Sequence, residues 1–276
     1  MKLIQMETGP KTTQKINNIK SFSIINLTIY FGYNEIDFIV YDDIDNVLLD
    51  FTSFSYSETT NIDNIISNYF HDNKSYSSFN LITITHFNNL HTMVPLALFD
   101  KKNINDYLKF NSSLLENDEY LFDIIKKNES VNVYVPLKYN ITNLQEFGKI
   151  VKQNHYTTTL VNEVSKLEKN NLKPNLYLNI NNSNIDIILI SDNELKFINT
   201  FNYSTKEDIV YYVLFCYDQL NLNPENTPVV ISGIIDKSIY SIVYKYIRNV
   251  SLYESNIDSK SKYYLNFKNK LTYNSI

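Results

Sequence analysis

FINTFNYSTKEDIVYYVLFCYDQLNLNPENTPVVISG, residues 197–233, reads as a strand, a capped helix, a turn and a second strand. Ser204 is followed three residues on by Glu207, the spacing at which a hydroxyl and a carboxylate satisfy each other's free backbone donors at a helix start. Asp208 adds negative charge where the helix dipole favours it. Beyond the cap, Ile209, Val210, Tyr212, Val213, Leu214, Phe215, Cys216, Tyr217 and Leu220 leave almost no polar face, so the helix is expected inside the protein, between layers. A helix between two strands of one sheet implies a parallel crossover, and with it an α/β fold.

Working outward, the same order of elements occurs earlier. Residues 27–31 (LTIYF) and 35–41 (EIDFIVY) form a hairpin around Gly32 and Asn34, residues 47–54 add a third strand, and Thr60 caps a helix reaching Phe70. FNLITIT, residues 79–85, returns as a strand. A shift of 149 residues lays Leu27 on Leu176, Ile36 and Asp37 on Ile185 and Asp186, Ile39 on Ile188, and Asp43 on Asp192. It also lays Leu81 and Ile82 on Val230 and Ile231, beyond a helix, and register kept across two elements indicates duplication.

The expected organisation is therefore a lead-in over 1–20, a first lobe over 21–102, a small α/β insertion over 103–160, and a linking helix with the second lobe over 161–276. Within the insertion the patterns predict helices over 103–110 and 116–128, a strand over 131–137, a helix over 143–154 capped by Thr142, and a strand over 155–161. The linking helix is expected over 161–171, a last helix over 237–247, and a short strand near 250–253.

With 276 residues, 43% of them hydrophobic, the chain can bury a full core. A net charge of −5 argues against a general nucleic-acid-binding surface. Cys216 is the single cysteine, which excludes an internal disulfide and a multi-cysteine metal site and fits a cytoplasmic home. The first residues lack the apolar core of a signal peptide, and the longest apolar run, 209–217, is too short to span a bilayer. Asn, Ile, Lys and Tyr are abundant, as an AT-rich genome would make them, so an isolated Asn or Tyr carries little functional weight.

A duplicated unit of hairpin, third strand, helix and strand, with an insertion in its first copy, resembles the actin-like ATPase superfamily, which shares the ribonuclease H-like fold. The place of the insertion resembles that in pilus and cell-division actin homologues. At finer grain VPLALF (94–99), FNYSTKEDIVYYVLFCYDQLNLNPE (201–225) and YKYIRNV (244–250) resemble an uncharacterised bacterial family, domain of unknown function 3822. The superfamily resemblance implies a two-lobe fold with mixed sheets and a phosphate-binding turn in each hairpin. Such turns use an Asp and clustered glycines, because only glycine lets backbone amides come close to phosphates.

The matching positions depart from that pattern. In LNINNSNID, Asn179 stands at the place of the Asp, and Asn181, Asn182 and Ser183 at the places of the glycines. In YFGYNEID only Gly32 is kept, with Tyr30 near the usual acid. In VVISGIID one glycine of the adenosine-binding pair, Gly233, is kept, and Ile234 replaces the other. The resemblance thus implies a degenerate nucleotide cleft, a pseudo-ATPase with no cofactor.

Other residues are weighed one by one. Asp37 and Asp186 hold equivalent repeat positions and would either form a carboxylate pair across the cleft or, as hairpin residues, point to solvent or bond the turn, the second being favoured. His86 and His91 flank a strand end but have no third ligand at metal spacing, His71 and His155 stand alone, and Cys216 reads as core. Lys260, Lys262, Lys268 and Lys270 are interleaved with Tyr263, Tyr264, Phe267 and Tyr273. Such a tail suits a single-stranded RNA or an anionic membrane surface, or else the lysine-coated outer face of a final helix, the last favoured.

The reading that joins these observations is a non-catalytic scaffold or adaptor acting on a protein partner, with the insertion as its binding surface and a homodimer compatible with it. The alternatives are a divergent nucleotide-binding ATPase or phosphotransferase using Asp37, Asp186 and Gly233, and an RNA-associated accessory factor using the lysine-rich tail.

Overall fold

The computed structural model describes residues 12–15, 24–44, 47–57, 60–73, 78–109, 117–138, 144–169 and 171–253. The lysine-rich tail and any terminal helix lie outside the described residues. The chain forms two compact units, one from residues up to 124 together with 131–158, the other from 125–130 together with 159 onward.

In the first unit, β1 (Thr12–Lys15), β2 (Ile25–Gly32), β3 (Glu35–Asp42) and β4 (Val47–Ser55) are followed by α1 (Ile62–Asp72) and β5 (Phe79–Phe87). After β6 (His91–Pro95), β7 (Leu121–Ile125) and β8 (Ser130–Tyr134) come α2 (Leu144–Phe147), β9 (Gly148–His155) and α3 (Tyr156–Leu167), which runs into the second unit. Six strands make one sheet in the order β1-β4-β3-β2-β5-β9, while β6-β8-β7 make a small sheet of their own. β3 lies inside the large sheet, which explains its nearly continuous apolar run. Its Ile36, Phe38 and Val40 join Leu27, Ile29 and Phe31 of β2 in a core closed by Ile65, Ile66, Tyr69 and Phe70 of α1. Tyr69 stacks on Phe38 at 3.8 Å between ring centres. Each such side chain contributes about 1.5–3 kcal/mol on burial.

The second unit has β10 (Asn175–Ile180), β11 (Asn184–Ser191), β12 (Glu194–Asn202), α4 (Lys206–Gln219), β13 (Val229–Gly233), α5 (Lys237–Tyr244) and β14 (Val250–Leu252). Its sheet runs β12-β11-β10-β13-β14. That order repeats β4-β3-β2-β5-β9, with the two last pairings parallel in both sheets. The duplicated unit thus has five strands, one more than the sequence suggests. The 149-residue shift holds within the hairpins, where Tyr30 faces Asp37 and Asn179 faces Asp186. It fails by two residues at the next strand, since Leu27 pairs with Ile82 but Leu176 pairs with Val229. A slip of two keeps each side chain on its own face, so the pattern conceals it.

Four local expectations change. The cap of α4 sits one residue later than read: the Asp208 amide donates to Thr205 Oγ1 at 3.2 Å, and Asp208 Oδ2 accepts from the amides of Thr205 and Ser204 at 2.9 Å each. α4 is also not enclosed between layers. Val210, Val213, Cys216 and Tyr217 face the core, but Tyr211 and Phe215 are 62% and 44% exposed on its outer face. Asn61, not Thr60, caps α1, and β1 extends the first sheet from within the expected lead-in by pairing with β4.

The largest change lies in 143–161. The helix expected there is only the four-residue α2, and GKIVKQNH is a strand, while the expected strand HYTTTLV opens α3. The reason is tertiary: β9 pairs in parallel with β5, and a Cβ at Gly148 would meet Ile82 Cγ1 at 2.6 Å, so a bulkier residue would hold the strands apart. The threonines at the start of α3 bond through their side chains, Thr158 Oγ1 to Asp123 Oδ2 at 2.7 Å, which offsets their poor helix propensity. The insertion therefore leaves the sheet after β5 and returns before α2, joined at its neck by the Val135 amide on the Leu90 carbonyl at 2.9 Å. Within it the expected helix over 116–128 is β7 followed by a 3-10 turn, and 101–107 is itself 3-10.

The cap can be checked directly. Thr205→Ala is expected to destabilise the protein by about 1 kcal/mol in urea unfolding, and Ser204→Ala by far less.

Candidate functional site

The hairpin turn between β10 and β11 is built from asparagines that bond to one another. The Asn181 amide donates to the Asn184 carbonyl at 2.9 Å, and Asn181 Nδ2 donates to Asn184 Oδ1 at 2.8 Å. Asn182 and Ser183 are exposed at the tip. One peptide inward, Asp186 is 1% exposed and accepts from Thr200 Oγ1 at 2.7 Å, from Asn181 Nδ2 at 3.0 Å and from Asn179 Nδ2 at 3.2 Å. Ser232 Oγ completes the row by donating to Asn179 Oδ1 at 2.8 Å. Thr200, Asp186, Asn179 and Ser232 thus form a polar line across β12, β11, β10 and β13, on the face opposite the apolar residues Leu178, Ile180, Ile185 and Ile187. A buried carboxylate is tolerable because donors surround it; a hydrogen bond to a charged group contributes roughly 1.5–3 kcal/mol.

The first unit repeats the line at Ser53, Asp37, Tyr30 and Thr85, with Asp37 also 1% exposed. Neither aspartate points to solvent; Asp186 bonds its turn, the other form of the favoured expectation. Each belongs to a different unit. Gly32 ends β2, and its carbonyl accepts from the Tyr56 hydroxyl, while the Tyr56 amide donates to the Asn34 carbonyl at 2.9 Å. The second unit has the same arrangement: the Tyr203 hydroxyl donates to the Asn181 carbonyl at 2.6 Å and its amide to the Ser183 carbonyl at 3.1 Å. One tyrosine after the third strand therefore clamps each turn. Both tyrosines escape a reading by motif, yet each stands just beyond a strand that pairs with the hairpin.

Gly233 has a fold-level reason to be glycine. Its φ is +90°, and a Cβ there would lie 2.0 Å from the Ile180 carbonyl oxygen, which also accepts the Ile234 amide at 2.8 Å. The backbone of β13 passes too close to β10 for any side chain.

The structure also brings together three histidines that sequence spacing keeps apart. His91 and His155 have ring centres 4.6 Å apart, and Tyr134 lies 5.1 Å from His155 and 6.0 Å from His86. Their nitrogens turn to other partners. His86 Nε2 meets Gln153 Oε1 at 2.9 Å, His86 Nδ1 accepts the Leu137 amide at 3.2 Å, and His155 Nδ1 accepts the Thr157 amide at 3.2 Å. Among the described residues no three His, Cys, Asp or Glu side chains are placed to hold a metal. Asp123 closes the cluster by accepting the His155 amide at 2.8 Å. Cys216 is core, where burial pushes its thiol up to about 12 and closes thiolate chemistry at neutral pH.

Two measurements follow. Gly233→Ala is expected to cost more than about 3 kcal/mol in chemical unfolding, with or without nucleotide, because strain and a backbone clash add. Burial holds the His86 and His155 imidazoles below their usual range, His155 further lowered by the charges of His91 and His86. The folded state then binds fewer protons than the unfolded state, so stability is full above about pH 6.5 and falls as pH drops through it. Burial pushes Asp123 up to about 6, so the folded state takes a proton below that pH and partly offsets the fall. Thermal melts should show Tm falling from pH 7.5 to 6, with a shallower slope below, and His155→Phe should flatten the upper limb.

The comparisons with known proteins agree with this architecture. A protein from Bacteroides thetaiotaomicron with an actin-like ATPase fold and unknown function superposes with a TM-score of 0.75 at 22% identity, over 87% of this chain and 97% of that one. The PilM–PilN type IV pilus biogenesis complex contains a chain that superposes with a TM-score of 0.54 at 9% identity, over 90% of this chain and 95% of that one. At these identities the likeness establishes the fold, which is actin-like. No functionally curated protein matches the sequence. No described helix is long and apolar enough to cross a membrane. Residues 14–250 match the family described as protein of unknown function DUF3822, and the chain belongs to that family.

Proposed function

We propose that this protein is a non-catalytic scaffold or adaptor, which keeps the actin-like fold, leaves its nucleotide positions to internal bonding, and works by binding another protein. The observation that carries the proposal is the second hairpin turn. Asn181 and Asn179 spend their amides on Asp186 and Asn184, and Tyr203 spends its hydroxyl on the turn itself. A phosphate would have to displace bonds already made, and side chains stand where close backbone approach is needed. The duplicated clamp by Tyr56 supports the same reading for the first turn. The PilM–PilN complex supplies an example of this fold working in an assembly, and the insertion, which among the described residues interrupts only the first copy of the repeat, is the surface proposed here for the partner.

Thermal shift with Mg-ATP tests the catalytic alternative. A ligand at one hundred times its dissociation constant adds about 2.7 kcal/mol to stability, which a melting curve resolves easily. The expected result is an unchanged Tm at millimolar nucleotide, and a clear rise would sink the proposal. Replacing residues 90–135 by a short Gly-Ser linker, cut at the neck so that β9 stays in its sheet, is expected to abolish partner recovery and to leave a cooperative melt at a lower Tm, since Asp123 and its bonds to Thr158 and the His155 amide go with the insertion.

A further inference from the structure

We propose that β9 is a docking edge for an acidic, extended segment of the partner protein, which adds to the first sheet as a further strand. This rests on the adaptor reading and names the surface and chemistry by which it would work. Among the described residues β9 pairs with β5 alone and ends the six-stranded sheet. Every second peptide of a strand directs its N–H and C=O away from its neighbour, so the outer flank of β9 from Lys149 to Gln153 presents backbone groups to a new strand, while the His155 amide is already taken by Asp123.

The length of β9 is the first argument. Its counterpart in the second unit, β14, has three residues, whereas β9 has eight. β5 has nine residues where β13 has five, so the first sheet ends in a longer edge than the second, long enough to pair an incoming strand over several residues. Exposure is the second. Lys149 and Gln153 on one face, and Ile150 and Lys152 on the other, are all exposed, with Ile150 at 50%. Val151 packs on the core and Gln153 Oε1 meets His86, so the face of Ile150 and Lys152 is the more open one.

Charge selects the occupant. Lys149 and Lys152 place one ammonium on each face of the strand, and no Asp or Glu lies between Gly148 and His155. Lysines on an edge discourage pairing with a second copy of the same edge, since like charges would meet across it. The same lysines favour an incoming strand with carboxylates three residues apart, an odd spacing that also puts one on each face. Ile150 between them offers an apolar contact to the residue opposite.

The test uses the full chain and a phage-displayed random dodecapeptide library, followed by amide exchange with a selected synthetic peptide. Enriched peptides are expected to carry Asp or Glu three residues apart and to lack proline. They should slow exchange within residues 148–155, and K149E/K152E should weaken their binding about tenfold while leaving the melting curve unchanged. No enrichment, enrichment without acidic residues, or protection elsewhere would overturn the proposal. A protein partner of the full chain that binds K149E/K152E undiminished would remove the edge and leave the adaptor reading in place. A stabilising response to Mg-ATP would instead count against the adaptor reading itself.

Discussion

Each unit depends on one constraint: the first strand of its hairpin is shared, pairing antiparallel with the second strand and parallel with the strand that follows the helix. β2 does this between β3 and β5, and β10 between β11 and β13. A strand with neighbours on both flanks must be apolar on the face the helix covers, which is why Leu27, Ile29 and Phe31 are matched by Leu176, Leu178 and Ile180. The parallel partner can only arrive by a crossover, so the helix is obligatory and its inner face follows. At Gly233 the constraint reaches the backbone itself, where β13 comes within bonding distance of the Ile180 carbonyl and admits no Cβ. A residue that a family comparison assigns to nucleotide binding is thus already required by packing, and its retention says nothing about ligand.

The other face of the same strands carries the polar line, and here burial and chemistry oppose each other. Sinking Asp186 and Asn179 to about the level of their apolar neighbours costs several kcal/mol unless every lone pair finds a donor. Thr200, Asn181 and Ser232 supply those bonds within the unit. A site poised for an external anion would hold its donors ready for that anion. In the second unit the donors are committed inward, with a tyrosine fixing the loop that would have to move. That commitment is what the proposed adaptor reading rests on.

Much of this was legible from residue pattern alone. The hairpins, the crossover helices and the duplication rest on period-two and helical spacing strong enough to survive without context, and the actin-like class on the resemblance of that duplicated order to a known superfamily. What failed were the places where tertiary partners outrank local propensity. GKIVKQNH has a helix-compatible pattern and becomes a strand because β5 offers an open flank; HYTTTLV is rich in strand formers and becomes a helix because its threonines bond Asp123 and neighbouring groups. The cap at Thr205 was missed by one residue because Ser204 and Glu207 match the same pattern as Thr205 and Asp208, and only backbone geometry separates them. The histidine cluster was invisible for a different reason: His86, His91 and His155 lie on three elements whose meeting requires β9 to be placed first.

Comparing the two copies of the unit separates what the fold needs from what the protein adds. Features present in both, such as the buried aspartates at positions 37 and 186 and the tyrosine clamps at 56 and 203, meet requirements of the unit and need no partner to explain them. Features present once are different. The small sheet of β6, β7 and β8, the buried histidines beneath its neck, and the long fifth strand β9 occur in the first unit, where the second makes do with α5 and a three-residue strand. All three sit between β5 and α3, in one stretch of chain. The plainer copy shows that the five-strand repeat closes without this elaboration, although Asp123 within it bonds the start of α3, and that surplus over the repeat is why the proposal places the partner there.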